Sequence, residues 1–141
     1  MVLHRIEIET KKRVEIIDIT KVVQEKVWES DLHHGIVLVF TKHTTTGLLI
    51  NEAERNLIED FKDNLARLFP KELKYHHNSI DRNAVAHLSA GLLLNTELMI
   101  PVESGELQLG PWQRILFVEL DGPRHRKVYV MVCPCPEMPE E

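Results

Sequence analysis

The feature that most limits the fold is an uninterrupted apolar run at residues 35–41, with the sequence GIVLVFT. Its length suits a strand, and its β-branched and aromatic side chains favour extended backbone. Successive side chains of a strand point to opposite faces, so neither face of this run offers a polar surface to water. We therefore predict a central strand that is buried on both faces.

Strands are the commonest elements that the sequence predicts. Alternating polarity and short apolar stretches predict them at residues 5–9, 14–17, 47–50, 98–102, 107–109, 113–120 and 127–132. Turn signals at residues 103–106 and 121–124 favour hairpin connections. The expected fold class is α+β: a strand-rich, antiparallel or mixed β-sandwich with two or three helices in a single domain.

Helical periodicity is confined to three segments. Apolar residues three and four apart predict an amphipathic helix within residues 52–70, where a proline ends it. A second helix is predicted over residues 83–94, with Asp81 or Asn83 as its N-cap. A short helix is expected to begin at Thr20.

The charge balance limits the partners of this chain. It has 17 Lys and Arg residues against 22 Asp and Glu residues, a formal charge of −5 at pH 7 with neutral His. Affinity for nucleic acid depends on Lys and Arg neutralising phosphates, so no nucleic-acid partner is expected. Neither a secretory signal nor an apolar run of the ~18 residues of a membrane span is present, so we expect a cytoplasmic protein without a membrane partner.

The carboxyl-terminal end is acidic and rich in proline. We expect one domain over residues 1–133 and a flexible Pro/Glu-rich tail over residues 134–141. Cys133 and Cys135 lie where this tail begins, and two cysteines so close together do not build a disulfide framework. We expect them to be ordinary reduced thiols.

Eight histidines are many for a chain of 141 residues, and two groups of them are candidates for chemistry. The cluster from Lys42 to Gly47 directly follows the apolar run, and in it His43 precedes Thr44 and Thr45, so an imidazole and several hydroxyls can face one cavity. The alternative is that the threonines favour strand and His43 is a surface residue.

The second group consists of His76 and His77, followed ten residues after His77 by His87. Imidazole nitrogens that converge at about 2.0–2.1 Å on Zn²⁺, with one position left open, form the pattern of a catalytic zinc site. The alternative is that these histidines are structural, because adjacent His76 and His77 on a strand would point to opposite faces.

Aromatic and basic side chains accompany two Gly-Pro pairs near the end of the chain. Trp112 could form an aromatic wall for a planar ligand, and Arg124 and Arg126 could bind a phosphate in a bidentate manner. Alternatively, Trp112 is a core residue and the arginines are solvated or paired with Glu119.

These motifs together resemble one family. The chain is similar to the YjbQ-type family, also known as secondary thiamine-phosphate synthases, over nearly its whole length. The resemblance depends on His43-Thr-Thr, Ile50-Asn-Glu52, Tyr75-x-His77, Asn83-Ala-x-Ala-His87, Gly105-x-Leu-x-Leu-Gly110-x-Trp-Gln113 and Glu119-x-Asp-Gly-Pro-Arg124. It implies a compact β-sandwich that assembles as a homotrimer.

The resemblance also implies a metal pocket with three histidines, at positions that correspond to His43, His77 and His87. An all-histidine site suits zinc, whereas a diphosphate substrate would suit Mg²⁺. The implied reaction joins hydroxymethylpyrimidine diphosphate to thiazole phosphate and releases pyrophosphate. A small phosphorylated metabolite is therefore the expected partner.

Roles for further residues follow from this interpretation. The catalytic candidates are Glu52, His77 and Arg124, and the substrate would be bound by Thr44, Thr45, Asn51, Asn83, Trp112 and Arg124. Two other functions stay open. One is a metal-dependent hydrolase of a small ester, amide or phosphate, with Glu52 as base. The other is a trimeric module that binds a metal or metabolite without turning it over.

Overall fold

The structure is a computed structural model that describes residues 2–136. Its strands, in chain order, are β1 (Val2–Glu9), β2 (Glu15–Asp18), β3 (Gly35–Thr41), β4 (Thr46–Asn51), β5 (Glu97–Glu103), β6 (Glu106–Leu107), β7 (Arg114–Glu119) and β8 (His125–Pro134). The helices are α1 (Thr20–Glu29), α2 (Arg55–Leu68) and α3 (Ala84–Leu93), and a 3-10 helix spans His76–Ser79.

The strands form two sheets. The larger has the order β1-β8-β3-β5-β6, the smaller has the order β2-β7-β4, and all neighbouring strands are antiparallel. The turn between β5 and β6 contains Ser104 and Gly105, whose φ angles of 51° and 77° suit a tight hairpin. The predicted α+β fold, a single domain with antiparallel sheets and three helices, is confirmed.

The main hydrophobic core lies between the two sheets. Val37 and Val128 of the larger sheet and Leu48 and Phe117 of the smaller sheet are all 0% exposed and belong to one cluster. Val23 and Val27 of α1 join the same cluster, and their spacing of four residues places them on one face of that helix. Burial of this apolar surface is the main source of stability for the fold.

The opposite face of the smaller sheet supports the other helices. Val118 is the neighbour of Phe117 on β7 and therefore points away from the main core. It packs with Leu120 and with Ala86 and Ala90 of α3, while Leu65 of α2 contacts the edge of this cluster. The molecule thus has three layers: the larger sheet, the smaller sheet, and the layer of α2 and α3.

β3 lies between β8 and β5, as predicted for a central strand, but its two faces differ. Val37 and Val39 are fully buried, whereas Ile36, Leu38 and Phe40 are only half-buried. The prediction that both faces are buried is therefore wrong for the single chain. The physical reason is that α2 and α3 pack on the smaller sheet and do not cover the outer face of the larger one.

Four apolar side chains cross that outer face in one row. Leu3 pairs with Met131, Met131 pairs with Leu38, and Leu38 pairs with Met99. Leu3 is 58% exposed and Met99 is 67% exposed. We call these four residues the outer row.

The outside of β6 is covered by a side chain of α1. The Gln24 carboxamide donates a hydrogen bond to the Gly105 carbonyl oxygen at 2.8 Å and accepts one from the Leu107 N–H at 3.0 Å. A neighbouring strand would use the same backbone groups. Gln24 therefore takes the place of a further strand beside β6.

The last strand continues into the beginning of the predicted tail. β8 includes Pro134, and the Cys135 N–H donates to the His34 carbonyl oxygen at 3.0 Å. Cys133 and Cys135 are free thiols. The rest of the predicted tail, residues 137–141, lies outside the described residues. In residues 2–136, no helix has both the length and the apolar character needed to cross a membrane.

Candidate functional site

His77 and His87 form a pair at one end of the smaller sheet. Their rings meet edge to face, with centroids 4.8 Å apart and an interplanar angle of 77°. His87 belongs to the first turn of α3, and His77 belongs to the 3-10 helix and not to the strand that we expected. Hydrogen bonds from the Ile80 and Asp81 N–H groups to the His77 carbonyl oxygen hold this turn.

Asn83 connects this pair to the sheet. Its Nδ2 donates to Asp121 Oδ2 at 2.9 Å, and its Oδ1 lies 3.0 Å from His77 Nε2. Because a carboxylate only accepts, the amide orientation is fixed, and Asn83 Oδ1 must accept the Nε2 proton of His77. The neutral His77 ring therefore has its lone pair on Nδ1.

Asn83 was predicted as a possible N-cap and as a substrate-binding residue, but its contacts with His77 and Asp121 were not predicted. It is the N-cap residue of α3, yet its side chain makes no capping hydrogen bond. Asn78 Oδ1 accepts from the Ala84 N–H instead, at 3.1 Å. Asn83 is buried, with 7% of the residue exposed. Its carboxamide forms hydrogen bonds with His77 and Asp121.

Asp121 is the next member of this chain of contacts. Arg124 Nη2 donates to Asp121 Oδ2 at 3.1 Å, and Arg13 Nη2 lies 3.4 Å from Asp121 Oδ1. Burial alone would raise the pKa of Asp121, but the hydrogen bonds from Asn83 and Arg124 outweigh it, and the pKa is lowered. Asp121 therefore stays ionised and orients Arg124 at the edge of the site.

A buried ion pair lies directly behind Asp121. Arg126 donates from Nε to Glu119 Oε1 at 2.7 Å and from Nη2 to Glu119 Oε2 at 2.6 Å. Thr10 and the Asp121 N–H also donate to the Glu119 carboxylate. Burial would raise the pKa of Glu119, but the Arg126 and Thr10 hydrogen bonds outweigh it and lower the pKa.

The same guanidinium reaches the threonines. Arg126 Nη2 donates to Thr45 Oγ1 at 2.9 Å, and Thr45 is 6% exposed. Because that oxygen accepts from Arg126, its own proton is free to be donated elsewhere. Thr44 is exposed beside it.

His43 lies close to this ion pair, and a hydrogen bond from the backbone of Lys127 determines the tautomer of its ring. The Lys127 N–H donates to His43 Nε2 at 3.0 Å, so the neutral ring has its proton on Nδ1. Burial lowers the pKa of His43, and the positive charge of Arg126 adds to the effect. The neutral His43 ring therefore presents an N–H donor and not a free lone pair.

The fit of these residues to a metal differs among the three histidines. Two imidazoles that share a tetrahedral Zn²⁺ have ring centres about 5 Å apart, which the His77–His87 pair matches. His43 does not fit as the third ligand, because its Nε2 lone pair is already used. Among residues 2–136, no three His, Cys, Asp or Glu side chains converge in a group that could hold a metal ion.

The remaining predicted residues lie at the other end of β4. Thr45 precedes this strand and Asn51 is its last residue, and six residues of extended backbone span about 20 Å. Glu52 follows Asn51, whose Oδ1 accepts from the Glu52 N–H at 2.8 Å. Asn51 and Glu52 therefore do not reach the His77–His87 pair within one chain.

Trp112 belongs to the same distant end. It lies two residues before Arg114, which pairs with Asn51 across β4 and β7. Trp112 is 72% exposed, so it is not a core residue. Its interpretation as an aromatic wall would apply to this distant end.

The connections that Glu119, Asp121 and Thr10 make within the site were not predicted from the sequence. Glu119 was named only as part of a motif and as an alternative partner of Arg124 and Arg126. Arg126 does pair with Glu119, whereas Arg124 pairs with Asp121. One signal was available: Glu119 and Arg126 both occupy inward positions of their strands. β7 and β8 follow each other in the sequence, and two opposite charges at core positions of such strands are expected to pair.

The lowered pKa values predict acid sensitivity. A carboxyl whose folded pKa is depressed stabilises the fold above its unfolded pKa of about 4, and that contribution is lost as the pH falls toward the folded pKa. We expect the free energy of unfolding, measured by urea titration, to fall steeply below about pH 5 as Glu119 and Asp121 take up protons. Glu119→Gln should flatten this slope. An equally steep slope in that variant would contradict the assignment.

Comparison with known proteins agrees with the fold and the motifs. The model of the family described as UPF0047 protein, YjbQ-like, matches residues 4–135. A UPF0047 protein of Archaeoglobus fulgidus is 54% identical over 123 residues, which are 87% of this chain and 94% of the relative. The UPF0047 protein YugU of Bacillus subtilis is 38% identical over 132 residues, 91% of this chain and 96% of the relative.

Solved structures show the same architecture. The crystal structure of a hypothetical protein from Aeropyrum pernix K1 matches with a TM-score of 0.91 and 36% identity, covering 95% of this chain and 99% of that one. A YbjQ-like protein of unknown function from Sulfolobus solfataricus P2 matches with a TM-score of 0.90 and 39% identity, covering 93% and 95%. The chain therefore belongs to the YjbQ-like UPF0047 family.

Proposed function

We propose that this protein is a transferase with secondary thiamine-phosphate synthase activity, which joins hydroxymethylpyrimidine diphosphate to thiazole phosphate and releases pyrophosphate. The observation that carries the proposal is the His77–His87 pair, held through Asn83 by a carboxylate that also binds Arg124. The arrangement combines two imidazoles, which are common metal ligands, with the guanidinium of Arg124. Both features suit a phosphorylated substrate.

His77 and His87 are the residues that would hold a divalent metal. The Asn83 carboxamide fixes the His77 tautomer that leaves Nδ1 available, as an outer partner of a metal-binding histidine does. When bound, a divalent cation would supply positive charge to the departing diphosphate. Histidine ligands favour zinc, and Mg²⁺ remains the alternative for a diphosphate substrate.

The chain's own polar groups would bind the phosphates. Arg124 is half-exposed and is oriented by Asp121, so part of its guanidinium remains available for a phosphate oxygen. Thr45 has a free hydroxyl proton, and His43 presents its Nδ1–H. In this proposal His43 is a hydrogen-bond donor to the substrate and not a metal ligand.

The test uses purified wild-type protein freed of metal by a chelator and then given Zn²⁺ or Mg²⁺. We expect thiamine phosphate, measured by chromatography, to form from the two phosphorylated substrates only when metal is restored. The absence of product with both metals would exclude the synthase. Hydrolysis in a panel of small esters, amides and phosphates would favour a hydrolase, and an increase in melting temperature without turnover would favour a binding module.

We also propose that the chain assembles as a homotrimer through the outer row. This row extends across four strands as one apolar surface, and contiguous exposed apolar surface is typical of protein interfaces. A second copy of the same chain would supply a surface of matching chemistry. The half-buried side of β3 would then become fully buried in the assembly.

Leu38→Lys tests this assembly. A lysine at the centre of the outer row would place a charge in the interface, so we expect the trimer to dissociate to monomers in size-exclusion chromatography with light scattering. Leu68→Lys is the matched control, because Leu68 is also exposed, at 61%, but lies on α2. A wild-type monomer, or equal masses for the wild type and Leu38→Lys, would contradict the proposal.

A further inference from the structure

A cavity of about 1220 Å³ lies between α2, α3 and the segment that joins them. Its walls include Leu65 and Phe69 from one side and Val85 and Ser89 of α3 from the other. Neither His77, His87 nor Arg124 lines it, and Asn83 is the residue that it shares with the histidine pair. The cavity therefore adjoins the site of the proposed transferase at Asn83, and its other walls extend away from that site.

The charge of the cavity is opposite to that of the whole chain. Five basic residues line it against the single acidic residue Glu72, whereas the chain has a net charge of −5. The basic residues are Arg13, Lys62, Lys71, Lys74 and Arg82. Like charges that surround one concave space produce a local positive potential and attract an anion.

Some of these cations are already neutralised. Lys62 lies 3.0 Å from Glu59, and Arg13 pairs with Asp121. Among the salt bridges of residues 2–136, none involves Lys71, Lys74 or Arg82. These three side chains therefore have charge available for a ligand.

The loop that carries two of these lysines is held in place. Tyr75 Oη donates to the Pro70 carbonyl oxygen at 2.6 Å, and the Leu73 N–H donates to the same oxygen at 3.3 Å. The Asn78 side chain fixes the next turn to the start of α3. A preformed loop loses little conformational entropy when a ligand binds.

The walls behind the charges are apolar. Val14, Leu65 and Leu120 line the cavity and belong to the apolar cluster between the smaller sheet and the helices. Phe69 and Val85 add further apolar surface. A free inorganic anion would leave these walls in contact with water, and a neutral apolar molecule would leave the lysines without a partner.

We propose that this cavity is a second binding site, which takes a small amphipathic anion: a phosphate or carboxylate group on an aromatic or aliphatic body. The anionic group contacts Lys71, Lys74 and Arg82, and the apolar body packs against Leu65 and Val85. The concave shape selects a small molecule and not a macromolecular surface.

The test uses the fluorescent probe 8-anilinonaphthalene-1-sulfonate, which has an anionic group on an aromatic body. We expect saturable binding, with displacement by phenyl phosphate or benzoate and not by benzyl alcohol. Whichever of phenyl phosphate and benzoate displaces the probe at the lower concentration identifies the preferred anion. Displacement by benzyl alcohol at equal concentrations would overturn the proposal.

Charge-reversal variants locate the site. Lys74→Glu and Arg82→Glu should each raise the Kd of the probe about tenfold, because each replaces an attraction by a repulsion. Lys21→Glu is the matched control, since it makes the same charge change at an exposed position of α1. Circular dichroism checks that all three variants are folded. A Kd that changes equally in all three variants would show that only net charge matters and would contradict the site.

Discussion

Arg126→Met is expected to lower the free energy of unfolding by about 3–5 kcal/mol, the cost of leaving one member of a buried ion pair unpaired. Glu119 is 0% exposed, and Arg126 supplies two of its hydrogen bonds. Without the guanidinium, the carboxylate must be buried as an uncompensated charge or take up a proton. Urea denaturation at pH 7 measures the loss directly.

The double variant Glu119→Leu with Arg126→Met separates the two possible sources of that loss. If the buried charge is the cause, removing both partners should recover part of the stability. Recovery is incomplete because Thr10 and the Asp121 N–H lose their acceptor. Arg114→Met is the comparison, because Arg114 forms an ion pair with Asp18 that is more exposed than the pair of Arg126 and Glu119. It should lower the free energy of unfolding by at most about 1 kcal/mol. Equal losses for Arg126→Met and Arg114→Met would contradict this account.

The second large effect concerns metal binding. His77→Ala and His87→Ala should each remove stoichiometric zinc from the purified protein and lower thiamine-phosphate formation by more than the roughly 10–100-fold typical of outer-shell changes. His43→Ala should keep the metal and still impair turnover, because His43 presents a hydrogen-bond donor. Elemental analysis and the chromatographic assay measure the two effects separately.

His33→Ala provides the control for this series. His33 is exposed, with 75% of its side chain accessible, and its Nε2 lies 3.7 Å from Asp31 Oδ1. Its replacement should change neither the zinc content nor the activity. Loss of zinc in His43→Ala would restore the three-histidine site, and unchanged zinc in His77→Ala would exclude the proposed pair.

Local patterns predicted most of the fold. The spacing of apolar residues predicted the position of α2. The helix ends at Leu68, two residues before Pro70, as the proline led us to expect. The turn at residues 103–106 and the strands on both sides of it were also predicted, because a hairpin depends on a few neighbouring residues. The amphipathic face of α2 is nonetheless only half-buried, since part of it lines the cavity.

The site was less predictable because its contacts cross long distances in the sequence. Thr10 and Glu119 are 109 residues apart, and Thr45 and Arg126 are 81 residues apart. Their proximity depends on how the two sheets pack face to face, because Glu119 belongs to the smaller sheet and Arg126 to the larger one. The extended backbone of β4 separates Asn51 from Thr45, although the two are close in the sequence. Asn83 illustrates a third reason. It is the N-cap residue of α3, as its position favours, but its side chain makes no capping hydrogen bond and contacts His77 and Asp121 instead.

Gln24 has a consequence for how the molecule avoids aggregation. An exposed strand edge is a template on which another chain can add a strand, and β6 forms one edge of the larger sheet. The carboxamide of Gln24 already occupies the backbone groups that such a strand would need. Sheet growth by strand addition is therefore blocked at β6, and a single side chain of α1 gives this protection without a further strand.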